Sequence, residues 1–201
     1  MIIAGKQINL RDLTLDDLPA WAYWQGAEHA WYKTDGPYYP PPTFEAVEKS
    51  VETLYERIQA GNWPEPRTRL AISRQGSEEL LGMVNRYWQS QETNWLSVGI
   101  TIYDPAFWGQ GIGFEGLGLW MDYLFRTMPE LVRLDLRTWS GNIGMIHLAE
   151  KLGYQQEACF RQARIVAGQY FDGLGYGILK SEWLTQWPDG FRLAHPGRLP
   201  D

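Results

Sequence analysis

The stretch Trp108-Gly109-Gln110-Gly111-Ile112-Gly113-Phe114-Glu115-Gly116 constrains the fold more than any other feature of the chain. Gly111, Gly113 and Gly116 have the G-x-G-x-x-G spacing. A strand-like run, Trp95 to Tyr103, precedes them, and Leu117, Trp120, Met121 and Leu124 follow at helical spacing. A strand, bare glycines and a helix start let backbone N–H groups converge on an anion, and a pyrophosphate suits such a site. Two familiar phosphate loops fit poorly. A dinucleotide fold turns the chain at its first glycine directly after the strand. Here Tyr103-Asp104-Pro105-Ala106-Phe107-Trp108 intervenes, and the acid expected at the next strand tip, Asp135, lies inside Val132-Arg133-Leu134-Asp135-Leu136. A Walker loop requires Lys-Ser or Lys-Thr after the glycines, and neither follows. A nicotinamide-dependent oxidoreductase therefore requires residues 103–108 to be misread.

The rest of the chain reads as one α/β (α+β) domain. Ile8 and Leu10 alternate as in a strand, and Thr14 with Asp17 forms a capping box for a short helix. Residues 21–42 are an aromatic, turn-rich loop with Trp31, Asp35 and Tyr38, closed by Pro40-Pro41-Pro42. Thr43 caps a helix whose Phe44, Val47, Val51, Leu54 and Ile58 share a face. Strand-like runs Arg69 to Ser73, Leu80 to Trp88 and Trp95 to Tyr103 suggest an antiparallel meander. Beyond the glycine run follow a strand Val132 to Arg137, a helix capped by Asn142 and stopped at Gly153, and strands Ala158 to Val166 and Tyr176 to Leu179. Residues 1–187 form the domain, and 188–201 read as a loosely packed C-terminal tail.

Charge and cysteine usage narrow the partners. Of a net charge of −6, residues 1–66 contribute 10 acidic and 5 basic side chains. That field disfavours nucleic acid and suits a cationic partner, although Glu45, Glu48, Glu52 and Glu56 also fit a solvated helix face. No apolar run reaches the ~20 residues of a membrane span, and no signal-like N-terminus is present, which predicts a cytoplasmic location. Cys159 is the one cysteine and reads as a buried structural thiol. His29, His147 and His195 are not spaced as metal ligands, so no metal is expected, and each reads as a surface or core residue.

WGQGIG with Glu115, preceded by VGITIYDPAF, resembles the GNAT superfamily of acetyl-CoA-dependent N-acetyltransferases, RimJ/RimL-like branch. So do Asn142-Ile143-Gly144-Met145-Ile146-His147-Leu148-Ala149-Glu150-Lys151-Leu152-Gly153-Tyr154, the segment from Gly168 to Trp183, and the opening Leu10-Arg11-Asp12-Leu13. The resemblance covers residues 8–183. It implies a mixed, strongly twisted sheet of about six or seven strands flanked by about four helices.

It also implies that amides of Gln110, Gly111, Ile112, Gly113 and Phe114 hold the coenzyme A pyrophosphate. Val98, Ile100 and Ile102 would pair with the pantetheine arm, Asn142 would reach it from the side, and the Ile100 N–H would face the thioester oxygen. The reaction would be direct attack by a neutral primary amine: a protein N-terminus, a polyamine or an aminoglycoside-like molecule. Relatives carry hydroxyls where Ala149 and Met145 stand, which leaves Tyr170 and Tyr176 as candidate acids. Glu115 is the first candidate base, its competing role being that of a first-turn glutamate on the helix dipole. Asp35, with Trp31 and Tyr38 beside it, is the candidate site for the acceptor's cation. An inactive acyl-CoA-sensing module is the alternative reading. A homodimer through the C-terminal strands or exposed aromatics is compatible with the sequence.

Overall fold

The computed structural model describes residues 1–191 and contains one eight-stranded sheet, ordered β1-β2-β3-β4-β5-β6-β8-β7. The strands are β1 (Ile2–Ala4), β2 (Ile8–Arg11), β3 (Arg69–Arg74), β4 (Leu80–Ser90), β5 (Trp95–Ile102), β6 (Arg133–Trp139), β7 (Gln155–Val166) and β8 (Gln169–Leu179). The helices are α1 (Leu18–Tyr23), α2 (Phe44–Ala60), α3 (Ile112–Thr127), α4 (Ile143–Lys151) and α5 (Lys180–Gln186). The fold class is the expected one, with one more strand and one more helix. β1 is three residues long, too few to show a period, and α5 follows β8 directly at Lys180, with no turn residue between them to mark its start. β8 begins at Gln169, seven residues before the expected Tyr176, because Asp172, Gly173 and Gly175, residue types depleted in strands, break up the pattern ahead of Tyr176.

All neighbouring strands are antiparallel except β5 and β6. A parallel pair needs a crossover, and α3 supplies it. The period-2 pattern of β5 divides the hydrophobic residues into two cores. Leu96 and Val98 face α3, α4 and α5, together with Trp120, Leu134, Leu136 and Trp183. On the other face, Ala71, Met83 and Tyr103 pack with Leu18, Trp21, Trp31 and Leu54 from α1, α2 and the aromatic loop. Phe44, expected on the inner face of α2, is 78% exposed because it sits in the first turn, beyond the sheet edge. Glu45, Glu48, Glu52 and Glu56 are exposed on α2, so this part of the acidic surplus is a solvated face.

The caps read from sequence form as expected: Thr43 accepts from the Ala46 N–H at 3.2 Å and Asn142 from the Met145 N–H at 3.1 Å. Cys159 is exposed rather than buried, because β7 is the sheet's edge strand and lies outside both helical layers. Packing also continues past residue 187. Phe191 is 2% exposed, stacked on Trp183 at 5.6 Å and tilted against Phe114 at 5.4 Å, so the loosely packed segment expected from 188 does not start there. Residues 192–201, with His195, lie outside the described residues. Among the described residues no helix is long and apolar enough to cross a membrane.

Gly118 of α3 lies under the Phe191 ring, where an added Cβ would overlap the ring carbons. Gly118→Ala therefore sets an overpacking cost of ~1–3 kcal/mol against a helix-propensity gain of ~1 kcal/mol. Thermal melts are expected to show a net fall in Tm of about 2–4 °C. An unchanged or raised Tm would mean that Phe191 does not rest on α3.

Candidate active site

The parallel pair β5–β6 is joined at only three positions, Trp95↔Arg133, Leu96↔Leu134 and Ser97↔Asp135, and then the strands diverge. β6 stays paired with β8 along its whole length, so the gap opens on the β5 side. The orientation of the freed backbone follows from the register. The Tyr103 N–H donates to the Leu81 carbonyl at 3.0 Å, and antiparallel bonding alternates, so Thr101, Gly99 and Ser97 exchange bonds with β4. The N–H and C=O groups of Ile100 and Ile102 and the C=O of Val98 therefore point into the gap, while the Val98 N–H faces Asp135 at the last paired position. Only the Ile102 carbonyl is bonded from the loop beyond, accepting from Trp108 Nε1 at 2.9 Å.

The gap widens into a cleft of about 1160 Å³. At one end lies the glycine run. Asp104 caps a single 3-10 turn, Pro105–Phe107, between β5 and the glycines, which separates this loop from a dinucleotide-binding turn. Gly109 and Gly111 have φ of +73° and +84°, a region that side chains disfavour. Gly111 is the N-cap of α3, and the first intrahelical bond runs from the Glu115 N–H to the Gly111 carbonyl at 3.0 Å. The N–H groups of Ile112 and Gly113 thus lie at a positive helix end ahead of the first intrahelical bond. His147 and Lys151 of α4 line the same end. A chain of phosphates and an extended polar arm fit these features: an anion at the α3 N-terminus, and an amide-bearing chain along the free edge of β5.

The other wall is the aromatic loop. Its residue Thr34 offers one carbonyl to two donors, Trp139 Nε1 at 2.8 Å and Asn142 Nδ2 at 3.0 Å. The next residue, Asp35, accepts from the Thr101 hydroxyl of β5 at 3.5 Å. Residues 34 and 35 thus bridge the diverging strands. Asp35 is open to solvent from the cleft, yet the concave wall around it strips most of its hydration. That desolvation raises its pKa above the ordinary carboxylate range, and the Thr101 bond opposes it.

Most of the expected binding residues converge here. Val98, Ile100, Ile102, Gly111, Gly113, Phe114, Asn142, Trp31, Asp35 and Tyr38 all line the cleft. Gln110 and Ile112, in the same glycine run, are not among the residues that line it. Two expected catalytic residues lie elsewhere. The Glu115 carboxylate is buried against the β1–β2 turn, where it accepts the backbone N–H groups of Lys6 and Gln7. Tyr176 is 3% exposed in the core on the α3 side, its hydroxyl donating to Gln156 at 3.3 Å and its pKa raised by burial. Tyr170 is 64% exposed at the far end of β8. Sequence reading missed Trp139, Arg137 and Arg164. Continuing the β5–β6 register puts Arg137 and Trp139 on the face of Gly99 and Thr101, an alternation visible in Asp135-x-Arg137-x-Trp139. Arg164 had no such signal. His29 is a core residue, bonded to the Tyr23 carbonyl at 2.7 Å. Among the described residues no three side chains form a metal site.

A family model described as an acetyltransferase (GNAT) domain matches residues 7–155. The chain belongs to the GNAT acetyltransferase family. As a GNAT enzyme it is an acyltransferase, and the hydride-transfer reading falls away. The uncharacterized N-acetyltransferase p20 of Bacillus licheniformis is 23% identical over 181 residues, covering 89% of this chain and 96% of p20. The SPbeta prophage-derived uncharacterized N-acetyltransferase YokL of Bacillus subtilis is 21% identical over 112 residues, covering 56% of this chain and 62% of YokL, less than two thirds of that protein. Among solved structures, the ribosomal L7/L12 α-N-protein acetyltransferase RimL in complex with coenzyme A shares the fold, with a TM-score of 0.68 and 22% identity over 89% of this chain and 98% of that one.

The placement of Glu115 yields a test of its role. Glu115→Ala leaves two backbone donors without their acceptor and is expected to cost ~1–3 kcal/mol, read as a lower Tm. Turnover per folded molecule should change less than about threefold, whereas loss of a general base would cost ~10²-fold or more.

Proposed function

We propose that this GNAT domain transfers the acetyl group of acetyl-CoA directly to a primary amine, with Asp35 holding the amine and receiving its proton. The reading rests on one juxtaposition. Among the described residues Asp35 is the one carboxylate lining the cleft, and it contacts β5 at Thr101, next to the unpaired N–H of Ile100.

The roles follow from the geometry. The N–H groups of Ile112 and Gly113 at the start of α3, with Lys151 and His147 nearby, suit a pyrophosphate. The outward-facing groups of Val98 and Ile100 suit a pantetheine arm laid beside β5 as an added strand. Bound acetyl-CoA supplies an activated acetyl group. The Ile100 N–H is then available to donate to the carbonyl oxygen that gains charge during attack, a contribution of a few kcal/mol in comparable sites. An amine arrives as its ammonium ion, pairs with Asp35, and loses a proton to that carboxylate directly or through water before its nitrogen attacks. Positions 145 and 149 offer no hydroxyl, and a thiol with a pKa near ~8.5 leaves readily enough for solvent to protonate it. Asn142 acts indirectly: both ends of its amide are spent on Met145 and Thr34, so it fixes the loop that carries Asp35.

The assay is to incubate the protein with acetyl-CoA and a panel of amines, following thiol release and amine mass together. Amine-dependent release with a gain of one acetyl group supports the proposal. Coenzyme binding without turnover on any amine would favour the sensing module instead.

Two substitutions test its parts. Gly111→Asp brings a carboxylate to the α3 N-terminus and should abolish the melting shift caused by acetyl-CoA; undiminished affinity would sink the pyrophosphate assignment. Asp35→Asn should lower kcat/KM by ~10²-fold or more and erase the acid limb of its pH profile. The stability effect has the opposite sign. Because Asp35 ionises at lower pH unfolded than folded, its charge weakens the fold as pH rises from the ordinary carboxylate range through its raised folded pKa. Asp35→Asn should therefore melt higher at neutral pH, and this gain should vanish below the ordinary carboxylate range. An intact acid limb in the variant would remove Asp35 from the proton path.

A further inference from the structure

The charge of the cleft is the reverse of what the acidic first third of the chain suggests. Among the described residues lining it, Asp35 faces three full cations: Arg137, Lys151 and Arg164. Lys151 belongs to α4 and the coenzyme end. Arg137 and Arg164 lie across the sheet on the acceptor side, near the loop that carries Asp35. Resting on the transferase reading above, we infer that the acceptor amine also carries an anionic group, a carboxylate or a phosphate, and that Arg164 and Arg137 hold it.

Arg11, Arg67, Arg74, Arg126 and Arg133 each pair with a carboxylate. Arg137 and Arg164 pair with none among the described residues. Arg57, Arg69, Arg86 and Arg161 also lack a carboxylate partner among those residues, and what sets Arg137 and Arg164 apart is that they line the cleft without one. Arg164 is also held in place. Its guanidinium lies 4.7 Å over the Tyr38 ring, and a Cβ built at Gly173 would be 3.8 Å from both Cζ and Nε. It therefore has an aromatic ring and the strand backbone at Gly173 as close neighbours. Nη1 donates to the Ala163 carbonyl at 3.1 Å, while Nε is buried with no partner among the described residues. Nη2 makes no hydrogen bond to the described residues, and it is the donor left to meet an oxygen of a carboxylate or phosphate.

The local backbone is built around this residue. The β7–β8 register breaks between Phe160 and Arg164, and the extra residues form a bulge in which Gln162 has φ +55°. Asp172 secures the bulge by accepting the Gln162 N–H at 2.8 Å. A non-glycine residue in that conformation is costly, and such bulges commonly re-aim a side chain beside a site. Here the register beyond the bulge sets Arg164 opposite Phe171, whose ring meets Trp139 at 4.8 Å. Tyr38 likewise meets Trp139 edge-on at 6.5 Å, and Trp139 anchors Thr34, the neighbour of Asp35. One continuous wall thus carries a carboxylate for the amine and a guanidinium for an anion. A polyamine would bring its second ammonium toward two arginines and be repelled.

The test compares matched acceptors: 4-aminobutyrate with butane-1,4-diamine, phosphoethanolamine with ethanolamine, and the dipeptide amide Ser-Asp with Ser-Asn. kcat/KM is measured for each, and so is the melting shift each gives the coenzyme A-loaded protein. In at least one pair the anionic member should be favoured by about tenfold or more. Arg164→Gln should collapse that ratio to within about twofold. Arg161→Gln, at an exposed position on the same strand outside the cleft, should leave it intact. Preference for the neutral or cationic members, or an anion preference that survives both Arg164→Gln and Arg137→Gln, overturns the inference, as does the absence of any preference in both readouts. Anionic amines that stabilise the wild type but not Arg164→Gln, without thiol release from any amine, support the inference while the transferase reading fails.

Discussion

Two parallel strands that stop pairing after three residues organise everything else in this protein. Backbone N–H and C=O groups must be satisfied, and a strand edge inside a domain is an opening for an extended partner. Past Ser97 and Asp135, β5 has lost its neighbour on one side, while β6 keeps β8. The gap is stable because both strands remain fully bonded on their outer edges and because separate hydrophobic cores clamp the two faces of the sheet. The crossover that makes the pair parallel also delivers the N-terminus of α3 to the mouth of the gap. Free amides along a strand and free amides at a helix start are thereby consequences of one topological choice.

The aromatic loop turns this gap into a site. Its Thr34 carbonyl is gripped from the β6 side by Trp139 and Asn142, and Asp35 reaches across to Thr101. Held there, Asp35 gives up hydration, and its carboxyl is correspondingly reluctant to ionise. A carboxylate held against its own desolvation beside the free edge of β5 is, in the proposed role, a stability–function compromise at one residue. The buried, unpaired Nε of Arg164 and the left-handed Gln162 have the same character: local costs gathered around one wall of the cleft.

The legibility of these features in the sequence followed their range. The glycine run, the Thr43 and Asn142 caps and the alternation of β5 depend on residues a few positions apart, and they were readable along with the fold class. Roles that depend on distant segments were not. Glu115 sits in the first turn of α3, where a base or a dipole partner could equally stand, and only the arrival of Lys6 and Gln7 assigns its carboxylate to the β1–β2 turn. Cys159 reads as a core residue until β7 proves to be the sheet edge. Trp139 and Arg137 alternate visibly, but nothing local tells which face of β6 meets the cleft.

By itself the sequence determined that a strand leads through a turn into a glycine-opened helix, and that Val98, Ile100 and Ile102 share one backbone orientation. These are properties of chain stereochemistry, fixed by glycine's lack of a side chain and by the twofold repeat of a strand. Tertiary structure alone decided where β5 and β6 part, which carboxylate faces the gap, and that the described residues lining the cleft carry more positive than negative charge. Those outcomes depend on which distant residues meet, and the same acidic and basic side chains would give a different field in any other arrangement of the strands.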